Sequence, residues 1–168
     1  MRNGFTLVET LVVVAITLFL SGLLLTYNRS TDNQIVLAAE QARVAGVLFR
    51  AKAFALQKNI REGSAAACGF GVRIEKPRRL ILFQNLPPSG STSCNTYGYD
   101  PGELLEEITL NPRVEFFSFS QGGGNEVDIV FDAPYLETHN PGTIKLELSA
   151  TGDTRDIVVG AGGEISTL

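Results

Sequence analysis

The sequence predicts an α+β fold: one long N-terminal α-helix, partly transmembrane, packed on a C-terminal antiparallel β-sheet domain. Three observations carry this. Residues 5–25 are almost wholly apolar, with Glu9 the one ionisable side chain among them, and a bilayer-crossing helix needs ~20 such residues. Residues 34–58 repeat apolar side chains at three- and four-residue steps, the period of a helix face. From Cys68 onward the period drops to two, in short runs broken by Gly, Pro and Asn, which reads as a set of antiparallel strands.

Glu9 is the exception inside the first segment. An acid near a bilayer centre costs ~2.5–3.5 kcal/mol on insertion scales, so such a residue marks a function. A conventional secretory signal does not fit. The apolar run is too long, and no small-x-small cleavage site precedes Tyr27 and Arg29. A polar junction, Tyr27 to Asn33, follows. It is either a helix break with a new N-cap at Ser30, Thr31 or Asp32, or a stretch through which the helix continues. Gly22 is a second weak point, at ~1 kcal/mol relative to alanine. One long helix, straight or bent, is the preferred reading.

In the second helical stretch Ile35, Ala38, Ala42, Ala45, Phe49, Ala53 and Leu56 form one apolar row. Leu37, Val44, Leu48, Ala51 and Ala55 widen it. The whole face is expected to pack into the core of the following domain. Gly63 is the expected terminator. If helical throughout, residues 5–58 would span roughly 80 Å at 1.5 Å per residue.

The strands expected are Gly69–Glu75 and Arg79–Asn85 around a Lys76-Pro77-Arg78 turn, then Leu104–Leu110, Arg113–Ser120, Glu126–Ala133, Thr143–Ser149, Arg155–Val159 and Glu164–Thr167. Residues 86–103, rich in Pro, Gly and Ser, are a long loop that Cys94 would staple. The layout is therefore residues 1–4 as a basic leader, 5–25 as a transmembrane helix, 26–62 as its amphipathic continuation and 63–168 as a globular β-rich domain.

Charge is unevenly spread. Residues 1–62 carry a net +3 and residues 63–168 a net −7. An acidic domain is poorly suited to nonspecific nucleic-acid binding. The two cysteines, Cys68 and Cys94, suggest one disulfide closing a loop of about 25 residues, worth ~3 kcal/mol on the chain-entropy estimate. Two buried thiols or half a metal site are the alternatives, and a metal site finds only one histidine, His139, and no C-x-x-C.

Other chemistry is thinly represented. Gly122-Gly123-Gly124 leads into a strand and lacks Gly-Lys-Ser/Thr, so it is a hairpin loop and not a phosphate cradle. His139, flanked by Pro141 and Gly142, reads as a solvent-exposed loop residue, and no nucleophile-elbow pattern accompanies it. Asp128 and Asp132, with Asp100 or Glu126, do not make a recognisable calcium loop. Arg73, Lys76, Arg78 and Arg79 form the basic cluster of the globular half, either a soluble hairpin tip or a contact for an acidic subunit or DNA. No catalytic residue, metal or cofactor is expected, and the chain does not read as an enzyme.

Gly4-Phe5-Thr6-Leu7-Val8-Glu9-Thr10-Leu11, behind Met1-Arg2-Asn3 and ahead of the apolar run, resembles the class III signal of type IV pilins and pseudopilins. The resemblance implies cleavage by a prepilin peptidase between Gly4 and Phe5, N-methylation of Phe5, and a role for Glu9 in assembly. A free amine at Phe5 would be a cation in apolar surroundings, and a carboxylate on a neighbouring subunit would neutralise it. The resemblance also implies other pilins or pseudopilins, an inner-membrane assembly platform and the membrane as partners. It places the N-terminus in the cytoplasm and the globular domain outside.

In the second half Phe131-Asp132-Ala133-Pro134, Gly142-Thr143-Ile144 and Gly163-Glu164-Ile165 resemble the closing phrases of GspH/FimT-type minor pseudopilins. This implies a minor subunit of a type II secretion pseudopilus or type IV pilus. A competence-pilus DNA-binding minor pilin is the alternative. The tail 163–168 holds Glu164 and no base, whereas some DNA-uptake members carry arginines there. The cysteine pair lies early in the domain, unlike the C-terminal disulfide loop of major pilins.

Overall fold

The computed structural model describes residues 6–57, 67–88, 93–94, 97–121, 124–132 and 137–168, with the side chains of 24–30 left aside. Gly63 and the 122–123 glycines therefore lie outside the described residues. Helix α1 runs from Leu7 to Gln57 without interruption. The Tyr27–Asn33 junction is helical, so the continuous helix is the right alternative. Thr6 starts it: its hydroxyl accepts from the Glu9 amide at 3.3 Å and its carbonyl from the Thr10 amide at 3.2 Å. That is the N-cap pattern, which satisfies amides left without an intrahelical partner. The chain divides into two compact units, Met1–Ile35 and Val36–Leu168.

Among the described residues of the second unit, nine strands form two antiparallel sheets. They are β1 Gly69–Glu75, β2 Arg79–Asn85, β3 Leu104–Thr109, β4 Val114–Phe119, β5 Glu126–Asp132, β6 Thr138–His139, β7 Gly142–Leu148, β8 Thr154–Val159 and β9 Ile165–Thr167. The five-stranded sheet has the order β3-β2-β1-β5-β6, and the four-stranded sheet β4-β7-β8-β9. The long helix with an antiparallel β domain is the α+β fold expected. The split into two sheets was not. It occurs after β3, where Asn111-Pro112 turns the chain out of the first sheet. β4 then pairs with β7 instead of β3, and the Phe116 amide bonds the Pro77 carbonyl at 2.8 Å.

The core lies between the helix and the sheets. Leu37, Val44, Val47, Leu48, Ala51 and Ala55 pack with Phe70, Val72, Ile74, Leu80, Leu82, Ile129, Phe131, Ile144, Leu146 and Ile157. Each Val, Leu, Ile or Phe among them contributes about 1.5–3 kcal/mol when fully buried, and the two alanines less. One expectation needs correcting. Of the two apolar rows, the one bearing Leu37, Val44, Leu48, Ala51 and Ala55 faces the core. Ile35, Ala42, Phe49 and Leu56 of the other row are exposed. The helix is apolar on both sides, so periodicity alone left the face open. The Leu- and Val-bearing side buries more area per residue than the Ala-bearing one.

Candidate functional site

Gly4 and Phe5 lie outside the described residues. Glu9 sits in the first turn of α1, with its side chain exposed. A carboxylate there is favoured by the helix dipole, by ~0.3–1 kcal/mol. Thr6-x-x-Glu9 also has the spacing of a capping box. That signal was present in the sequence and Thr6 was not singled out. The bond seen there is between the Glu9 amide and the Thr6 hydroxyl, and the Glu9 carboxylate stands free of it on the exposed first turn.

From Leu7 to Leu23 the large apolar side chains stand exposed, Leu7 at 81% and Phe19 at 69%. The hydroxyls among them bond inward. Thr10 donates to the Thr6 carbonyl at 3.0 Å, Thr17 to Val13 and Val14 at 3.0 and 2.9 Å, and Ser21 to Thr17 at 2.7 Å. This surface needs no water to satisfy those groups, as an apolar environment requires. Among the described residues no helix is long and apolar enough to cross a membrane. The described side chains of the apolar run stop at Leu23, so residues 24 and 25 of the expected span fall beyond them.

Further along α1, within the second unit, a row faces away from the core. Ala39, Ala42, Gly46, Phe49 and Leu56 are exposed and Ala53 is half-buried. Their steps alternate three and four, the spacing of a helix-packing seam. Phe49 and Leu56 keep 50% and 55% of their surface in solvent. A Cβ added at Gly46 would meet nothing within 4 Å, so no contact inside the chain requires glycine there. The helix is pinned on either side of this row by polar bonds. Arg43 donates to the Thr109 carbonyl at 3.2 Å and Arg50 pairs with Glu106 on β3. Lys52 donates to the Gly163 carbonyl at 2.9 Å. Gln41, only 5% exposed, donates to the Asp156 and Leu168 carbonyls at 2.8 and 3.1 Å.

The face of the five-stranded sheet away from the helix carries a second, smaller core: Ile81, Phe83 and Val130, with Tyr97 and Tyr99 against them. Cys68 and Cys94 form a disulfide, with Cα atoms 5.4 Å apart. Tyr99 meets the Phe83 ring edge-on at 5.5 Å, and its amide donates to Asp128 at 3.2 Å. The Glu103 carboxylate closes the loop base by accepting from the Leu86 amide at 2.6 Å and the Asp100 amide at 3.1 Å. Burial nevertheless lifts its pKa above the ordinary glutamate value. An open concavity of about 650 Å³ lies beside Pro87, Pro88, Tyr97, Tyr99 and Glu103.

His139 is not the exposed loop residue expected. It is half-buried on β6, paired with Val130 on β5. Its ring stacks on Tyr97, with centroids 3.5 Å apart and 13° between planes. The partner comes from a loop some forty residues upstream, and no local pattern announces it. Burial, then the charges of Asp132 and Glu137, push the Tyr97 hydroxyl up.

The basic cluster is engaged within its own domain. Arg73 pairs with Glu75 at 2.8 Å, with Asp128 at 3.3 Å and with Glu126. Its guanidinium also lies over Tyr99, 5.5 Å from the ring centre. Burial works against the Arg73 charge, but Glu126, Asp128 and Glu75 keep its pKa above the ordinary value. Arg79 bonds Glu107 at 2.7 Å and Glu75 at 3.0 Å, which raises the arginine and lowers Glu107. Arg78 donates to the Pro112 carbonyl at 2.7 Å, and Lys76 lies 5.3 Å from the Phe119 ring centre. Acids outnumber bases around Arg73 and Arg79, so the pair presents no positive patch for a phosphate backbone. Asp128 is spent on Arg73 and Tyr99, and burial raises its pKa. Among the described residues no cluster of His, Cys, Asp and Glu is placed to hold a metal ion.

No curated protein and no solved structure matches the chain. Residues 1–25 match the family of the prokaryotic N-terminal methylation motif. The match covers Gly4, Phe5, Glu9 and the apolar start of α1. This type IV prepilin-like signal leads directly into the long helix and the antiparallel β domain of an α+β fold.

Proposed function

We propose that the chain is a minor pilin or pseudopilin of the GspH/FimT type, a structural and non-enzymatic subunit of a type II secretion pseudopilus or type IV pilus. Residues 1–4 are the leader, cut between Gly4 and Phe5 by a prepilin peptidase, and the new N-terminal Phe5 is N-methylated. Residues 5–25 anchor the subunit in the inner membrane and later enter the filament core. Residues 26–62 carry the helix onward, and residues 63–168 form the domain displayed outside the cytoplasm. Glu9 pairs with the Phe5 amine of a neighbouring subunit, and an inner-membrane platform drives assembly.

One observation carries the reading: the methylation motif opens a helix whose large apolar side chains from Leu7 to Leu23 are exposed. So much exposed apolar surface marks an interaction site or a membrane, and the inward-bonded Thr10, Thr17 and Ser21 hydroxyls fit both. The test uses two Glu9 variants. Glu9→Gln keeps an N3 capping residue and removes the charge. Glu9→Leu removes both. Both are expected to insert in the membrane and to lose filament incorporation, with intact mass showing loss of residues 1–4 and one added methyl. Normal incorporation of Glu9→Gln would refute the pairing role, and an uncut N-terminus in the parent would refute the subunit reading.

A further inference from the structure

We propose that Thr6 governs how readily the Gly4–Phe5 bond is cut. Its hydroxyl fixes where helix α1 begins, and so leaves that bond upstream of the helix for a peptidase to take in extended form. Thr6 is a positioning residue: it acts through the helix start and not on the reacting atoms. The inference deepens the proposed function and rests on it, since it takes cleavage between Gly4 and Phe5 as given.

The first turn is built around Thr6. Helix α1 starts at Leu7, so the Glu9 amide is among the donors that a helix start leaves without an intrahelical acceptor. It goes to the Thr6 hydroxyl at 3.3 Å. The Thr6 carbonyl accepts twice from Thr10, from its amide at 3.2 Å and from its hydroxyl at 3.0 Å. The carbonyl of Thr6 therefore opens the helical ladder, and its hydroxyl closes the ladder on the upstream side. Without that hydroxyl the Glu9 amide would turn to the ordinary helical acceptor four residues back, the Phe5 carbonyl. The sequence offers such a longer helix a cap of its own. Asn3 stands three residues before Thr6, the same step that separates Thr6 from Glu9, and asparagine ranks among the best N-cap residues. A helix begun at Asn3 would take Gly4 and Phe5 as its first two helical positions, with the bond to be cut between them. An independent observation places the chemistry in this same segment: the methylation motif matches residues 1–25, with Thr6 inside it.

Proteolysis follows the population of the open form when opening and closing outpace the cut. A substrate that is open only part of the time binds more weakly in proportion to that fraction, and its chemical step is unchanged. Losing an N-cap residue shifts such a balance by about fivefold. The effect of Thr6→Ala therefore falls on KM, which rises by up to about fivefold, while kcat stays as it was.

The experiment follows cleavage of the full chain in detergent micelles by a purified prepilin peptidase, read by intact mass over a range of chain concentrations. Thr6→Ala is expected to raise KM at unchanged kcat. Thr6→Ser and Thr6→Asn keep a capping side chain and should be cut like the parent. Asn3→Ala/Thr6→Ala should recover toward the parent, because the longer helix then loses its cap as well. A parental KM for Thr6→Ala would overturn the inference and leave the proposed function intact. So would a fall in kcat at unchanged KM, because Thr6 would then act in the chemical step, and so would Thr6→Ser and Thr6→Asn both behaving like Thr6→Ala. An uncut parent chain would overturn the proposed function and the inference together.

Discussion

Gly71→Ala tests the packing of the outer face most directly. Gly71 lies mid-strand in β1, opposite Phe83 on β2 and Val130 on β5. A methyl there would overlap the Phe83 ring and stand 3.0 Å from the Ile129 carbonyl oxygen. The ring is fully buried and edge-on to Tyr99, so it cannot retreat without giving up that contact. Overpacking of this kind costs ~1–3 kcal/mol. Removing a strand glycine returns ~0.5–1 kcal/mol. The net loss is about 1–2 kcal/mol. For the roughly 130 residues from Val36 to Leu168, unfolding entropy near 60 °C is about 0.27 kcal/mol/K, so Tm falls by ~4–7 °C. The assay is thermal unfolding of the oxidised full chain in micelles, repeated in a Phe83→Leu background. The smaller side chain makes room, so Gly71→Ala should cost less there, with a coupling of about 1 kcal/mol. Equal costs in the two backgrounds, or a rise in Tm on Gly71→Ala alone, would refute the packing argument.

Gln41→Leu removes the donor that holds the Asp156 and Leu168 carbonyls to the helix. Each carbonyl keeps a backbone partner in the other residue's amide, so a loss of ~0.5–1.5 kcal/mol is expected, read as a lower denaturant midpoint and faster exchange of the Leu168 amide; an unchanged midpoint would show the bonds to be stabilising nothing. Asp128 has a pKa raised by burial, opposed by the Tyr99 amide and by Arg73. A carboxyl whose folded pKa is raised contributes stability that is present below its ordinary value and lost as pH rises through the raised one. Asp128→Asn should therefore gain relative to the parent as pH rises through and above the ordinary aspartate range; a flat difference in Tm across that rise would contradict the assignment.

Much of this architecture is legible in the residues. β1 and β2 run from Gly69 to Glu75 and Arg79 to Asn85 as predicted, because two β-prone runs flank the Lys76-Pro77-Arg78 turn. The cysteine pair is legible for the same economy of means: two cysteines, one long loop. β6 is not. Two residues, Thr138 and His139, have no period, and their pairing to Phe131 and Val130 is decided by neighbours distant in sequence. The split into two sheets is hidden for a related reason, since alternation shows which residues face inward but not which strand lies alongside. At the candidate site Glu9 stands out as a charge in an apolar run. Tyr97 and Tyr99 do not stand out, because aromatic residues in a Gly/Pro-rich loop acquire meaning only from Phe83 and His139.

The charge imbalance between the halves of the chain bears on how the outward row of α1 can recognise anything. Arg43, Arg50 and Lys52 contribute to the positive balance of residues 1–62, yet each reaches toward its own β domain: a carbonyl of β3, Glu106, and the Gly163 carbonyl. Those bonds draw the cations to the flanks and leave Ala39, Ala42, Gly46, Phe49, Ala53 and Leu56 as an uncharged strip between them. Surface ion pairs of this type contribute little stability, ~0–1 kcal/mol each, so their main effect is on what the helix shows. A partner on that strip would be selected by shape, with Gly46 as the recess and Phe49 as the projection, while charge would act only at the margins. A glycine with open space around it, one turn from a half-exposed phenylalanine, is otherwise a local cost of ~1 kcal/mol in a helix interior with no gain inside the chain.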